Sequence, residues 1–265
     1  MVTGNRTLDE MRIRILGCSG GIGAGARTSA MLVDDDVLID AGTGIGDLAL
    51  ADLAPIRHVF LTHAHLDHIA GLPMLADSIF DENFTQPLTV YAREETLRAV
   101  QDHLFNDVIR PDFAKLPSPE SPMLRYRVCS PGDTISIGHR EFYAVDVMHS
   151  VPSLGYTIRN SGGSFAVSGD TKTNETLWPV LNACEDLKVL VIEVSFPNEM
   201  EKLAAQAGHY CPRTLTDDLE RLRHDPEIWL TGMKPGEEAR ILKQVIKGAP
   251  DKNIQMLSRG TVLNV

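Results

Sequence analysis

The chain has 265 residues, with 36 Asp plus Glu against 25 Lys plus Arg, so its formal net charge is −11. A surface that grips a polyanion needs clustered cations for counterion release; an isoelectric point near 5.2 therefore speaks against a dedicated nucleic-acid binder while leaving a small phosphate substrate open. With 43% hydrophobic and 23% charged residues the composition is that of an ordinary globular protein, which excludes disordered and fibrous classes.

No apolar run reaches the ~18 residues of a membrane span, and the N-terminal MVTGNRTLDE lacks the apolar stretch of a signal peptide. Cys18, Cys129, Cys184 and Cys211 are scattered without a C-x-x-C pair, so neither a zinc knuckle nor a disulfide framework is signalled. Both observations predict a soluble, cytoplasmic protein with reduced thiols.

Met11 to Leu16 alternates as a strand and runs into the glycine-rich GCSGGIGAG of Gly17 to Gly25. Gly21, Gly23 and Ala26 fit a loose G-x-G-x-x-A, but a dinucleotide fold requires those glycines to open a helix. The chain continues instead with SAMLV, the acidic turn Asp34-Asp35-Asp36 and VLIDAG, which predicts a strand hairpin. The glycine run is then a loop whose amides at Ser19, Gly20 and Gly21 could meet an anion, or a plain tight turn.

A short helix is expected around Asp47 to Leu53, then a strand at Ile56 to Leu61, a helix over Leu72 to Phe80 entered through Pro73, a strand at Leu88 to Tyr91, and a helix at Glu94 to His103. Pro111, Pro117, Pro119 and Pro122 make Arg110 to Tyr126 too proline-rich for a regular element, so a lid-like surface excursion is predicted over about residues 104–127. Further strands are expected at Thr134 to Ile137, Glu141 to Met148, Tyr156 to Ile158, Phe165 to Val167, Val189 to Val194, Ile228 to Thr231 and Ile254 to Leu257. Helices are expected at Asn174 to Cys184, Thr214 to Arg223 and Glu237 to Lys247. With no linker or fixed-period repeat, the pattern predicts one α/β domain over 1–265, two mixed sheets face to face with helices outside.

Thr62-His63-Ala64-His65-Leu66-Asp67-His68 holds three imidazoles and a carboxylate within six residues, although the whole chain has only 9 His. Alternation in an extended stretch puts His63 and His65 on one side, and a turn after Leu66 can bring Asp67 and His68 to a second point nearby. Neutral imidazole with carboxylate oxygen is the donor set of zinc, or of manganese and iron at higher coordination.

These residues resemble the metallo-β-lactamase superfamily, and the likeness extends from Ile13 to about Lys247. LGCSGG at Leu16 to Gly21, LIDAGTG at Leu38 to Gly44, HAHLDHIAGLP at His63 to Pro73 and HLFNDVIRPDF at His103 to Phe113 are similar to its class II 3′,5′-cyclic-nucleotide phosphodiesterases. The resemblance implies a four-layered αβ/βα sandwich with one or two divalent metals at the sheet edge. It implies that His63, His65 and His149 hold one metal, that Asp67 and His68 hold the other, and that Asp170 bridges both. Asp40 resembles the carboxylate that orients ligand imidazoles through their other nitrogen. The family pattern departs at Gly232, where Thr-Gly-Met-Lys-Pro stands in place of Thr-His-x-x-Pro, so a weaker second metal, a mononuclear site or recruitment of His209 is expected.

The implied reaction is hydrolysis of a cyclic nucleotide to the 5′-monophosphate, with Asp67 and His209 as catalytic residues. His209, whose Gly-His context resembles the Gly-His-Ser-Thr of transfer-RNA 3′-processing nucleases, would give the leaving oxygen its proton. Substrate contacts are expected from Ser19, Gly20 and Gly21 on the phosphate and from Asn106 and Phe113 on the base, or Phe113 anchors the excursion. The alternatives are a transfer-RNA 3′-processing-type endonuclease, disfavoured by the acidity; a thioester hydrolase or lactamase; and a metal-binding module whose activity Gly232 has reduced. A homodimer is left open.

Overall fold

In the computed structural model, which describes residues 10–80 and 86–265, the chain forms two seven-stranded mixed sheets. The sequence-based expectation about a leader rests almost wholly on residues 1–9, outside the described ones. In spatial order the first sheet contains Val262–Asn264, Arg12–Gly17, Ala30–Val33, Val37–Ile39, His58–Phe60, Leu88–Ala92 and Leu124–Val128. It is antiparallel as far as Val37–Ile39 and parallel beyond. The second sheet contains Ile254–Met256, Glu227–Thr231, Leu187–Glu193, Ser164–Val167, Ser153–Arg159, Arg140–Val147 and Thr134–Ile137. It is parallel as far as Ser164–Val167 and antiparallel beyond.

Three apolar layers result from the alternation. Between the sheets, Ile13, Ile15, Met31 and Phe60 of the first meet Phe142, Tyr156, Phe165 and Val191 of the second. Phe60 stacks on Tyr91 at 4.5 Å and on Phe142 at 4.4 Å, with Tyr156 edge-on at 5.5 Å. Aromatic pairs of this kind each add roughly 0.5–1.5 kcal/mol beyond area burial, so this stack is a strong tie between the sheets. The other face of the first sheet, through Leu32, Leu38 and Val59, packs on Leu72 and Leu75 of helix Leu72–Ser78 and on Leu97 and Val100 of helix Glu94–His103. The outer face of the second, through Leu190, Ile192 and Leu230, takes Trp178, Leu215 and Ile241 from helices Leu177–Ala183, Pro212–Leu219 and Glu238–Gly248. Because strands such as Ala30–Val33 and Val37–Ile39 are buried throughout, they read as continuous apolar runs. The result is the expected helix–sheet–sheet–helix sandwich.

Several elements differ from expectation. The proline-rich excursion ends in the regular edge strand Leu124–Val128, parallel to Leu88–Ala92, because its prolines precede the paired residues; a two-residue hairpin joins Pro117–Ser118 to Ser121–Pro122. The helix near Asp47 is a 3₁₀ turn at Thr43–Asp47 followed by one turn at Leu50–Leu53. Helix Glu201–Ala207 and strand Val262–Asn264 have no counterpart in the sequence expectations. Among the described residues no helix is long and apolar enough to cross a membrane.

Candidate metal centre

The chemistry-bearing residues gather where the parallel strands of both sheets end, the usual place for a site in such sheets. Asp40 follows strand Val37–Ile39 and His63 follows His58–Phe60; across the gap, Asp170 follows Ser164–Val167, Glu193 ends Leu187–Glu193 and Gly232 follows Glu227–Thr231. His65 is extended and precedes the helical turn Leu66–Ile69, which carries Asp67 and His68. A strand-to-helix step thus carries His63, His65, Asp67 and His68 on one short segment.

Three groups of side chains bring their ligand atoms within 4.8 Å of one another: His63, His65 and His149; His63, His68 and Asp170; and His149, Asp170 and His209. Asp67 lies beside them, with Oδ2 3.8 Å from His68 Nε2. Hydrogen bonding assigns the imidazole faces. His68 Nδ1 donates to Asp40 Oδ2 at 2.6 Å, and His149 Nδ1 donates to the Gly208 carbonyl at 2.8 Å. Thr62 Oγ1 donates to Asp40, which leaves it to accept from His63 Nδ1 at 3.0 Å. In all three rings the proton is drawn to Nδ1 and the Nε2 lone pair is left for the centre, the arrangement of a metal-ligating histidine. His63 Nε2 is buried without any hydrogen-bond partner, and His149 Nε2 stands 3.1 Å from His65 Nδ1. An orphaned ring nitrogen and two close ring nitrogens are what a shared cation reconciles.

The electrostatics agree. Burial pushes His63 well below the ordinary imidazole range, assisted by the charge of His68, and burial lowers His65 and brings His149 down to about 4. Ligation needs neutral rings of this kind. Burial would also lower His68, but Asp170 and Asp40 outweigh it and hold the ring well above its usual value. Burial would raise Asp170, but the charge and hydrogen bond of His68 keep its carboxyl well below the usual range. Asp40 at Nδ1 and Asp170 at Nε2 thus flank the His68 ring and draw positive charge to it, which a cation at Nε2 would supply in place of the proton.

The second sheet supplies a pair that sequence reasoning only half found. Glu193, fully buried, accepts from the backbone N–H of Thr171 at 3.0 Å and of Tyr210 at 3.2 Å, from Ser195 Oγ at 3.1 Å and from His209 Nδ1 at 3.1 Å. Burial raises its carboxyl, with the His209 hydrogen bond opposing. Burial would lower His209, but its bond to Glu193 and the nearby carboxylate charges hold it above the ordinary value. A lone Glu closing the apolar run Val189 to Val194 was the available signal.

Other expectations fare differently. Asp40 accepts the Thr62 backbone N–H at 2.8 Å besides His68 Nδ1. Of the three loop amides expected to meet an anion, those of Ser19 and Gly20 are instead donated to the Arg27 and Met233 carbonyls, both at 2.9 Å. Asn106 is committed to its own turn, bonding the Asp102 carbonyl and the amides of Val108 and Ile109. Phe113 is 4% exposed and packs against Phe80 and Phe105, so it anchors the excursion and does not cover a base. The cavity beside the cluster, about 120 Å³, is lined among others by Ser19, Asp67, His68, Asp170, His209 and Lys234, and by neither Asn106 nor Phe113. Gly232 lines it too, at φ +75°, where a Cβ would meet only Glu193 Cβ at 3.5 Å and Ser195 Oγ at 3.6 Å.

A family model described as "Beta-lactamase superfamily domain" matches residues 35–231. The Yersinia pestis protein named "Probable 3′,5′-cyclic-nucleotide phosphodiesterase" is 28% identical over 252 residues, 78% of this chain and 71% of that one. A ribonuclease Z of Methanococcus maripaludis is 34% identical over 116 residues, 42% of this chain, and the match spans only 35% of that relative. Among solved structures, unliganded yeast PDE1 aligns with a TM-score of 0.82 at 20% identity, covering 96% of this chain and 99% of that one. The short form of human tRNase Z aligns with a TM-score of 0.66 at 16% identity, covering 95% and 98%. These two structural likenesses concern the fold. Relatives named for a ribonuclease also mean that acidity does not by itself set nucleic acid aside.

Proposed function

The chain belongs to the beta-lactamase superfamily, and from its site we infer a metal-dependent hydrolase that cleaves a phosphodiester, a 3′,5′-cyclic nucleotide such as cyclic AMP or cyclic GMP, to the 5′-monophosphate. The observation that carries this inference is the buried Glu193–His209 pair, whose His209 Nδ1 lies 3.9 Å from Asp170 Oδ2. A phosphodiester expels an alkoxide, which leaves readily only as it gains a proton, and an imidazole held above its ordinary pKa beside the cluster is suited to give one.

His63, His65 and His149 would hold one divalent cation, and Asp67 and His68 a second, with Asp170 shared. Zinc or manganese suits this donor set, and iron is compatible with it. Because Gly232 contributes no imidazole, the second set has three protein ligands and is the weaker. When bound, such cations supply Lewis acidity toward phosphoryl oxygens and a nucleophile from water. The chain's own groups do the rest. Asp40, Thr62 and the Gly208 carbonyl hold the ring protons of His68, His63 and His149 on Nδ1, and Glu193 holds that of His209, leaving its Nε2 as the atom that hands over a proton. The cavity beside the cluster, about 120 Å³, has room for a phosphoryl group.

Turnover of cyclic AMP and cyclic GMP with Zn²⁺ or Mn²⁺, beside bis-p-nitrophenyl phosphate and a transfer RNA with a 3′ extension, tests this. Cyclic-nucleotide hydrolysis is expected; cleavage of the synthetic diester with neither cyclic nucleotide turned over would refute it. A transfer-RNA 3′-processing endonuclease is the second reading, favoured by the 34% identity to a ribonuclease Z and by the Gly208-His209 context. Cleavage of the extended RNA alone would establish it. A metal-binding module with reduced activity would cleave none of these at a useful rate.

A further inference from the structure

We propose that Ser19 Oγ and Lys234 Nζ form an anion subsite for the phosphoryl oxygens of the substrate, on the cavity wall that carries Gly232; the inference rests on the phosphodiesterase reading and names where its anion is held. Two loops make that wall and are stitched together. Gly20 N–H donates to the Met233 carbonyl, Gly232 N–H to the Cys18 carbonyl and Lys234 Nζ to the Gly20 carbonyl, each at 2.9 Å. The approach is so close that a Cβ on Gly20 would fall 2.2 Å from the Gly232 oxygen. Groups on this wall are therefore held in place before a ligand arrives.

Lys234 gives one of its three N–H bonds to Gly20 and rests 5.6 Å from the Phe196 ring centroid, so its ammonium is confined at the cavity rather than free to sweep solvent. Among the described residues lining the cavity it is the only Lys or Arg, against the carboxylates Asp40, Asp67 and Asp170. Ser19 Oγ, lining the same cavity, is buried without a hydrogen-bond partner. A desolvated hydroxyl with nothing to bond is unfavourable until a ligand oxygen meets it. A fixed cation and an unpartnered hydroxyl on one rigid wall suit the anionic oxygens of a phosphate and give little to a neutral ester. The wall also lies where the usual last histidine is missing, so Lys234 supplies positive charge on the side where the second cation is held least well.

The test is calorimetric binding of inorganic phosphate to the zinc-loaded protein, with metal per chain measured in parallel. Lys234→Gln is expected to weaken phosphate binding about tenfold, the lower end for a charge-assisted hydrogen bond, and Ser19→Ala about threefold, with metal content unchanged in both. Phosphate affinity equal to the parent's in Lys234→Gln would overturn the subsite. Should that variant fail to fold, Ser19→Ala decides in the same way. If the parent cleaves no phosphodiester while Lys234→Gln still loses phosphate, the subsite stands and the proposed activity falls. If the parent hydrolyses cyclic AMP while Lys234→Gln binds phosphate normally, the activity stands and the subsite falls.

Discussion

Replacing Asp40 by Asn should weaken metal binding without unfolding the chain. Asp40 sits at φ +57°, a backbone conformation that Asn tolerates better than almost any other side chain, so the substitution adds little strain. The carboxylate now serves two sides: Oδ1 accepts the Thr62 backbone N–H at 2.8 Å and Oδ2 accepts His68 Nδ1 at 2.6 Å. An amide has one oxygen. Thr62 N–H can only donate and will keep it, so the amide N–H₂ faces His68 Nδ1 and turns that nitrogen into an acceptor. The ring proton then moves to Nε2, the atom 3.4 Å from Asp170 Oδ2, and blocks the lone pair that ligation requires. Losing an orienting partner of this kind typically costs about 10–100-fold in metal affinity, or ~1.4–2.8 kcal/mol. The assay is zinc competition against a chromophoric chelator, with circular dichroism as the fold control. An Asp40→Asn protein that folds and holds zinc as tightly as the parent would show that Asp40 does not set the His68 tautomer.

Other substitutions probe the second sheet. His209→Ala should lower turnover and leave metal per chain unchanged; metal loss on elemental analysis would make His209 a ligand instead. In Glu193→Gln the hydrogen bond and charge that hold His209 above its ordinary pKa are reduced while burial, which lowers it, remains. Since an acid is competent below its pKa, the alkaline limb of the kcat profile should move to lower pH, and a stationary limb would exclude His209 as the donor. Gly232→His should raise metal content at limiting zinc, at a backbone cost of about 1 kcal/mol for a left-handed residue, because the space beside it is open. Stripping the metal should lower the melting temperature, because ligands from both sheets then lose their common partner. With free metal at about 100 times Kd the stabilisation is ~2.7 kcal/mol, or roughly 5–10 °C for a chain of this size, and an unchanged melting curve would show that the cluster binds little or nothing.

How much was legible depended on whether the partners were close in sequence. His63, His65, Asp67 and His68 stand within six residues, so density alone pointed to a metal site, whereas His149, Asp170 and Asp40 were singled out by the resemblance to the metallo-β-lactamase superfamily; each follows a strand, which agrees with that placement without being enough to pick them out. Glu193 was not singled out, because in the run Val189 to Val194 a single carboxylate looks like the end of an apolar strand, and its four donors come from Thr171, Ser195, His209 and Tyr210. The glycine loop misled in a similar way. Nothing near Ser19 and Gly20 in sequence shows that Arg27 and Met233 take their amides, the second from more than two hundred residues away. Strand Leu124–Val128 was obscured by the prolines before it, whose effect on pairing ends once Met123 has bonded the Leu116 carbonyl. Phe113 had both roles open in the sequence, and only packing against Phe80 and Phe105 decides for the anchor.

The two sheets place a buried carboxylate behind an imidazole in the same way, yet the surroundings give the two pairs different work. Asp40 receives Thr62, Ser29 and His68, all from the first sheet and the loops at its edge, so its pair is tied to a rigid ligand segment. Glu193 receives His209 together with Ser195, and Ser195 Oγ also lies 3.1 Å from His209 Nδ1 and 3.0 Å from the Gly232 carbonyl. The position of the proposed proton donor is therefore linked, through one serine, to the loop where the last histidine is missing. A side chain introduced at Gly232 must enter beside Glu193 and Ser195, the two groups that hold His209. Gain of a metal ligand and retention of the donor's geometry are thus in competition at this point. A Gly232→His protein that binds more metal yet turns over less substrate is the outcome this linkage favours, whereas equal gains in both would mean that Ser195 does not couple the loop to His209.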